Sequence, residues 1–354
     1  MRHHIIFLAL IGLLSTIGCG KKAIEQEPTP VEDLNLAPTL AMQFVRAPLN
    51  AGGGFSDIVF TADGRAAALS VNKEIYFSNN DGASWQLVRK YSTLNNDTTI
   101  QSIALHPTQD IVFLGASFLH NFDSHLRHLI IKKDAGKWQD HIIVSPKYID
   151  QTSNPQYIPA GYKYNHSYWF KNYVINSFSN VAGNDGFVSI QLDPEKTDGP
   201  SPQNVMLPVS KNSYVASCVI PIFDGFNKLF NCAGSEILPS KVKANTRISM
   251  WQDFSWMTFN SSDNNGRPAC CVPDYMAASP NLSADRFNKL MLYTGLGKLY
   301  HTRIMPAANH QQEIILPKDV LGYGDYLCVG IDRQRYVWIG TATIGMYKST
   351  TPLP

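Results

Sequence analysis

Glu74-Ile75-Tyr76-Phe77-Ser78-Asn79-Asn80-Asp81-Gly82-Ala83-Ser84-Trp85-Gln86-Leu87-Val88 is the stretch from which the rest of the chain is read. A strand pattern enters a polar turn and leaves through a Trp-bearing strand, which predicts a β-hairpin. Within the turn, Asn80 or Asp81 can accept hydrogen bonds from backbone amides, Gly82 can take a positive φ, and Ser84 can close a side-chain bond to the backbone. Trp85 then has a large ring to bury against a neighbouring strand. A calcium loop would need several carboxylates at alternating positions, and Asp81 stands alone, so the turn reads as structural.

The turn resembles the Asp-box, or BNR repeat, of pattern Ser-x-Asp-x-Gly-x-Thr-Trp. Ser78, Gly82, Ser84 and Trp85 match, while Asn80 occupies the Asp position and Asp81 follows it. The resemblance implies a β-propeller, the fold of the sialidases, sortilin-type receptors and photosystem-assembly factors that carry this box. It names an architecture and leaves the ligand open.

At the other end of the argument stands the leader. Arg2, His3 and His4 precede the apolar run Ile5 to Leu14, and small residues lead to Cys19, which predicts a secretory signal over residues 1–18. Ser15-Thr16-Ile17-Gly18-Cys19 resembles a bacterial lipobox, with Thr16 where Leu is usual. That resemblance implies lipidation of Cys19, attachment to a membrane through acyl chains, and a place in the bacterial cell envelope. By the same resemblance, Gly20 and Lys21 after the cysteine, with no Asp, imply the outer membrane. Residues 19–40 are Pro-rich and charged without an apolar period, and read as a tether with a reach of roughly 25 Å. Residues 41–354 form the folded domain, in which no stretch is long and apolar enough to span a bilayer as a helix.

Only 16% of residues are charged and the net charge is +2, which excludes a polyanion-binding signature, so no nucleic acid is expected as partner. Aromatic residues reach 11%, Gly and Pro are plentiful, and amphipathic helical periods are almost absent. An all-β domain follows. Strand-like segments recur in groups at intervals of roughly fifty residues, four to a group, which is the signature of a propeller blade. The groups begin near Phe55, Ile100, His166, Val215 and Tyr275, and a last group of three begins at Tyr326. Lys132 to Trp138 looks like a worn Asp-box one residue short. Val337-Trp338-Ile339-Gly340-Thr341 followed by Gly345-Met346-Tyr347-Lys348-Ser349 resembles the recurrent blade pattern of these families. An unpaired edge on the last group is a liability, and Met42 to Arg46 is the expected donor of its fourth strand. This arithmetic predicts six blades, or seven if Ser145 to Tyr164 hides strands.

Sialidases are the enzymes suggested by the box, so their catalytic parts are the test. Phe44-Val45-Arg46-Ala47-Pro48 loosely echoes their Phe-Arg-Ile-Pro motif, yet an outer closing strand is the wrong place for Arg46 to clamp a carboxylate in a central pocket. No Tyr–Glu pair and no two placed carboxylates can be assigned. There is no Gly-x-Ser-x-Gly, and Gly295-Leu296-Gly297-Lys298 lacks the spacing of a phosphate loop. No catalytic residue and no cofactor is predicted.

His120, Asp123, His125 and His128 lie close in sequence, but His125 and His128 point to opposite faces of an extended chain, and no metal site is assigned. In an oxidising compartment Cys218 and Cys232, on consecutive predicted strands, are candidates for a cross-strand disulfide. Cys270 and Cys271 are left to a vicinal bond or to a bond with Cys328. Between Tyr148 and Tyr173 tyrosines and prolines crowd together, and Tyr157, Tyr162 and Tyr164 are the candidate binding surface, because long loops over a rigid ring bind partners and Tyr is an interface residue. Two functions are consistent with these observations: a membrane-tethered, non-catalytic propeller that binds a protein or envelope component, and a sialidase-like propeller that binds or cleaves glycans.

Overall fold

The computed structural model describes residues 39–49, 52–91, 98–120, 123–143, 147–149, 155–157, 162–170, 173–180, 186–192, 204–208, 219–221, 228–231, 255–258, 276–278, 280, 290–295, 298–303, 311–316 and 326–354. All regular structure among them is β, and the strands fall into six sheets. The predicted signal and tether, with Cys19, lie outside the described residues, as do Cys218, Cys232, Cys270 and Cys271.

The first sheet is an antiparallel meander of β3 (Phe55–Phe60), β4 (Ala66–Ser70), β5 (Glu74–Ser78) and β6 (Gln86–Lys90). The second repeats it with β7 (Thr98–Leu105), β8 (Ile111–His120), β9 (Asp123–Asp134) and β10 (Lys137–Ile143). The third sheet has β13 (Tyr162–Phe170), β14 (Tyr173–Asn180), β15 (Gly186–Leu192) and β16 (Asn204–Pro208), and β11 (Lys147–Ile149) and β12 (Pro155–Tyr157) extend it to six strands. The segment from Ser145 to Tyr164 therefore adds strands to an existing sheet; β11 runs parallel to β16, and β12 antiparallel to β11.

In the fourth sheet β17 (Val219–Pro221) pairs antiparallel with β18 (Lys228–Asn231), which pairs parallel with β19 (Ser255–Thr258). The fifth holds β20 (Met276–Ala278), β21 (Leu290–Gly295), β22 (Lys298–Arg303) and β23 (Gln311–Ile315). The sixth holds β24 (Tyr326–Ile331), β25 (Val337–Thr341) and β26 (Met346–Ser349), and β2 (Phe44–Arg46) lies antiparallel along β26 with Phe44 opposite Ser349. Just before it, β1 (Thr39–Ala41) adds in parallel to β23 of the fifth sheet. Met42, between the two strands, is buried in the apolar layer with Leu299, Ile314, Val329 and Ile339. The chain entry thus joins two sheets where one was expected.

The first strand of each sheet touches the first strand of the next, β3 to β7, β7 to β13, β13 to β17, β17 to β20, and β20 to β24, and β24 in turn touches β3. Core residues lie in slabs between neighbouring sheets. Leu69, Ile75 and Phe77 meet Ile103, Val112 and Leu114 between the first two, and Phe55, Ile58 and Tyr76 meet Cys328, Trp338 and Met346 between the sixth and the first. Four-stranded sheets stacked face to face in this way are the architecture of a β-propeller.

Four first strands share one irregularity. The register slips by one residue between Phe55 and Asp57, Ile100 and Ser102, Tyr164 and His166, and Tyr326 and Cys328. Such a bulge sharpens the local twist and re-aims the side chains beside it. The residue after the bulge then reaches the next sheet: Cys328 Sγ donates to the Phe55 carbonyl at 3.6 Å, Asp57 Oδ2 accepts from the Ile103 amide at 2.9 Å, and Ser102 Oγ lies 2.6 Å from Ser167 Oγ.

The residue before the bulge packs towards the previous sheet, and two glycines make the space. Gly340 is opposite Cys328 and Gly115 opposite Ser102. A Cβ on Gly340 would stand 2.8 Å from the Phe55 carbonyl oxygen, and one on Gly115 would stand 2.6 Å from Cδ1 of Tyr164. Backbone cannot yield as a side-chain tip can, so Gly340→Ala is expected to cost about 1–3 kcal/mol by overpacking. Gly52→Ala, where nothing lies within 4 Å of the added carbon, is the control and is expected to leave chemical denaturation unchanged.

Candidate functional site

The quoted hairpin turn closes as a hydrogen-bonded unit. Ser78 Oγ donates to Asn80 Oδ1 at 2.9 Å and accepts from the amides of Asn80 at 3.3 Å and Gly82 at 3.0 Å. Asn80 Oδ1 also accepts from the Ser84 amide at 2.9 Å, and its Nδ2 donates to Ser84 Oγ at 2.8 Å. Asn therefore does what an Asp would do as acceptor and adds a donor. Asp81 and Gly82 both have positive φ, 56° and 74°, the left-handed geometry that Asp tolerates and Gly favours.

This turn is fixed to the last sheet. Asp81 Oδ2 accepts from Arg333 Nε at 3.0 Å and Nη2 at 2.8 Å. Trp85 meets Trp338 edge-on at 6.1 Å, and Trp338, fully buried, donates from Nε1 to Asp332 Oδ2 at 3.0 Å. The worn copy behaves alike: Ala135 and Gly136 have positive φ, and Trp138 packs on Phe77 of the preceding sheet with ring centres 4.9 Å apart. Asp81, Trp85 and Trp138 are thus fastenings between sheets.

A second row of contacts runs along the turns between first and second strands. Thr61 Oγ1 donates to Asp63 Oδ1 at 2.5 Å, and Arg65 pairs with Asp63 at 2.8 Å. Arg65 also crosses to the second sheet, donating to the His106 carbonyl at 3.1 Å and to the Gln109 carbonyl. His106 Nδ1 accepts from the amides of Thr108 and Gln109 at 3.1 and 3.0 Å, and its ring stands against Trp169 of the third sheet at 4.8 Å. Burial first, and the Arg65 charge second, push the His106 pKa down to about 4. It is a neutral turn cap.

Tyr164, expected on a binding surface, is a core residue. It is 3% exposed, packs on Phe178 at 4.7 Å and on His128 at 5.8 Å, and its amide donates to Gln101 Oε1 at 2.8 Å. The reason is its place immediately before the bulge, equivalent to Phe55 in the first sheet. Tyr157 ends β12 and Tyr162 begins β13, where Tyr162 is opposite Asn180; their side chains lie outside the described residues.

His120 and Asp123, placed by sequence in a connection, pair with each other at the tip of β8 and β9, and His128 is buried beside Phe113. Among the described residues no three His, Cys, Asp or Glu side chains come together as a metal set. Arg46 is an exposed residue on β2. Cys328 is a buried free thiol, with its pKa well raised by burial and by neighbouring Asp57.

Sequence reasoning missed Asp57. It is 8% exposed, and its two oxygens accept from the Ile58 amide at 2.8 Å and the Ile103 amide at 2.9 Å. Burial pushes its pKa up to about 7 against the lowering effect of both amides. The available signal was an acid inside the apolar strand Phe55–Phe60.

No family model matches the chain, and no curated protein matches it. Among solved structures it is similar to U3-55K, at 8% identity over 88% of this chain and 98% of that one with a TM-score of 0.44. It is similar to the RRP9 WD40 repeats at 8% identity, over 88% and 97%, with a TM-score of 0.44. A further similar structure is YCF48 bound to D1 peptide, at 11% identity over 91% and 99% with a TM-score of 0.40.

Two outcomes test the fastening role. Ser78→Ala removes three of the turn's hydrogen bonds and is expected to cost about 1–3 kcal/mol in urea denaturation, whereas Asn80→Asp is expected to stay within about 0.5 kcal/mol. For His106, the folded pKa of about 4 lies below the ordinary 6.5, so its contribution is present above pH 6.5 and is lost as pH falls towards 4. The stability advantage of the wild type over His106→Asn is therefore expected to shrink steadily over that range.

Proposed function

We propose that the chain is a membrane-tethered, non-catalytic β-propeller that binds a protein or envelope component as a scaffold or assembly factor. The observation that carries this reading is the employment of four carboxylates among the described residues. Asp63, Asp81 and Asp332 cap turns or pair with Arg65, Arg333 and Lys348, and Asp57 spans two sheets. These carboxylates are committed to holding the fold, and a glycosidase needs two that face a substrate. In this reading the six sheets are six blades, and β2 closes the ring by pairing the two ends of the domain.

The rest of the proposal comes from the sequence. Residues 1–18 are a lipoprotein signal, Cys19 carries the lipid, residues 19–40 are the tether, and residues 41–354 are the propeller, held in the bacterial cell envelope at an outer membrane. Cys218 and Cys232 form a disulfide. The partner is engaged through the segment that holds Tyr157 and Tyr162, since Tyr164 is withdrawn into the core.

Labelled fatty acid is expected to enter the wild type and to be absent from Cys19→Ala, which leaves the membrane fraction; retention of the variant in the membrane would contradict the anchor. Crosslinking in intact cells is expected to recover a discrete protein partner, lost in a Tyr157→Ala, Tyr162→Ala double variant of unchanged melting temperature. Turnover of a fluorogenic sialoside by the purified chain would overturn the non-catalytic reading and favour the glycan-directed one.

A further inference from the structure

Asp57 stands where three sheets meet. Its own strand β3 packs on β7 of the second sheet and on β24 and β25 of the sixth. Across β4 its register partner is Leu69, β7 offers the Ile103 amide, β24 presents the Cys328 thiol, and β25 brings Gly340 against Phe55. Cys328 is, among the described residues, the titratable group facing it, and burial and Asp57 both oppose ionisation of that thiol. Among the described residues no Lys, Arg or His is hydrogen-bonded or ion-paired to Asp57; both oxygens are occupied by backbone amides alone.

A carboxylate so placed loses its hydration without gaining a counter-ion, and two amide donors offset only part of that loss. Other inter-sheet acids among the described residues are arranged differently: Asp81 meets Arg333, Asp140 meets Arg89, and Asp110 meets Arg65. At two equivalent post-bulge positions the chain uses Ser102 and Cys328, and at the third it has His166. Asp57 is the carboxylic acid among these four post-bulge residues.

We propose that Asp57 is a proton-operated latch on the seam between the first and second sheets. With its proton the residue closes the seam; without it, a charge lacking a counter-ion sits in the seam, and opening, which rehydrates the carboxylate, becomes easier. The sign follows from linkage. The closed form holds the proton up to about pH 7, whereas the open form releases it near the ordinary 3.8. Closure is therefore strongest below the ordinary value, weakens as pH rises between the two, and is constant above the higher one.

The test uses the full chain with Asp carboxyl carbons labelled and the Ile103 amide followed by hydrogen exchange corrected for its intrinsic rate. The Asp57 resonance, assigned by its absence in Asp57→Asn or, if that variant does not fold, in Asp57→Ser, is expected to titrate near pH 7. Protection of Ile103 is expected to fall by up to about tenfold per pH unit from pH 5 to pH 7 and to level off above it. In the substituted chain the same amide is expected to show protection independent of pH. A carboxyl midpoint near 4 would overturn the proposal, and so would a midpoint near 7 with no matching change in Ile103 protection.

Discussion

The close approach of neighbouring sheets at the first strand is the constraint on which the rest of the structure depends. At the junction of the sixth and first sheets the Phe55 carbonyl accepts from Cys328 at a point where Gly340 leaves no room for a side chain. Farther out, Trp338 is clamped between Phe60 at 5.3 Å and Trp85 at 6.1 Å, and at the turns Arg333 reaches Asp81. Backbone, aromatic and ionic contacts therefore succeed one another from the first strand outwards. A single sheet has little interior of its own, so its apolar faces are buried against its neighbours. Stability and architecture have the same origin here.

Much of this was legible where local chemistry decides. Asn80-Asp81-Gly82 and Asp63-Gly64 are turns because Gly and Asp accept the backbone geometry a reversal needs, and the strands flanking them fell where period-two patterns placed them. The donor strand β2 was legible from the need to cover an open edge. The parallel addition of β1 to β23 was not, since three residues carry too weak a pattern to choose a partner sheet. Nor were the bulges, because one extra residue in a strand inverts the facing of everything before it without altering composition.

That inversion explains the error over Tyr164. Tyrosines crowded among prolines suggest a binding loop, yet a residue just before a bulge is turned under the adjoining sheet, and Gly115 in β8 was the sign that a ring would need space there. The opposite omission, Asp57, has the same cause: a strand acid reads as solvent-facing until the bulge that re-aims it is known. The site-level reading thus failed where long-range packing, and not local propensity, sets the direction of a side chain.

The central claim is that post-bulge and bulge side chains fasten the first strands β24, β3 and β7 each to the next sheet. Native-state hydrogen exchange at the Tyr164 amide tests it most directly, because that amide donates to Gln101 Oε1 of the neighbouring sheet. The account predicts protection approaching that of the core amides of β14, with a clear loss in Gln101→Ala while the β14 amides keep theirs. Exchange at the rate of an exposed amide in the wild type, or protection indifferent to Gln101, would contradict it.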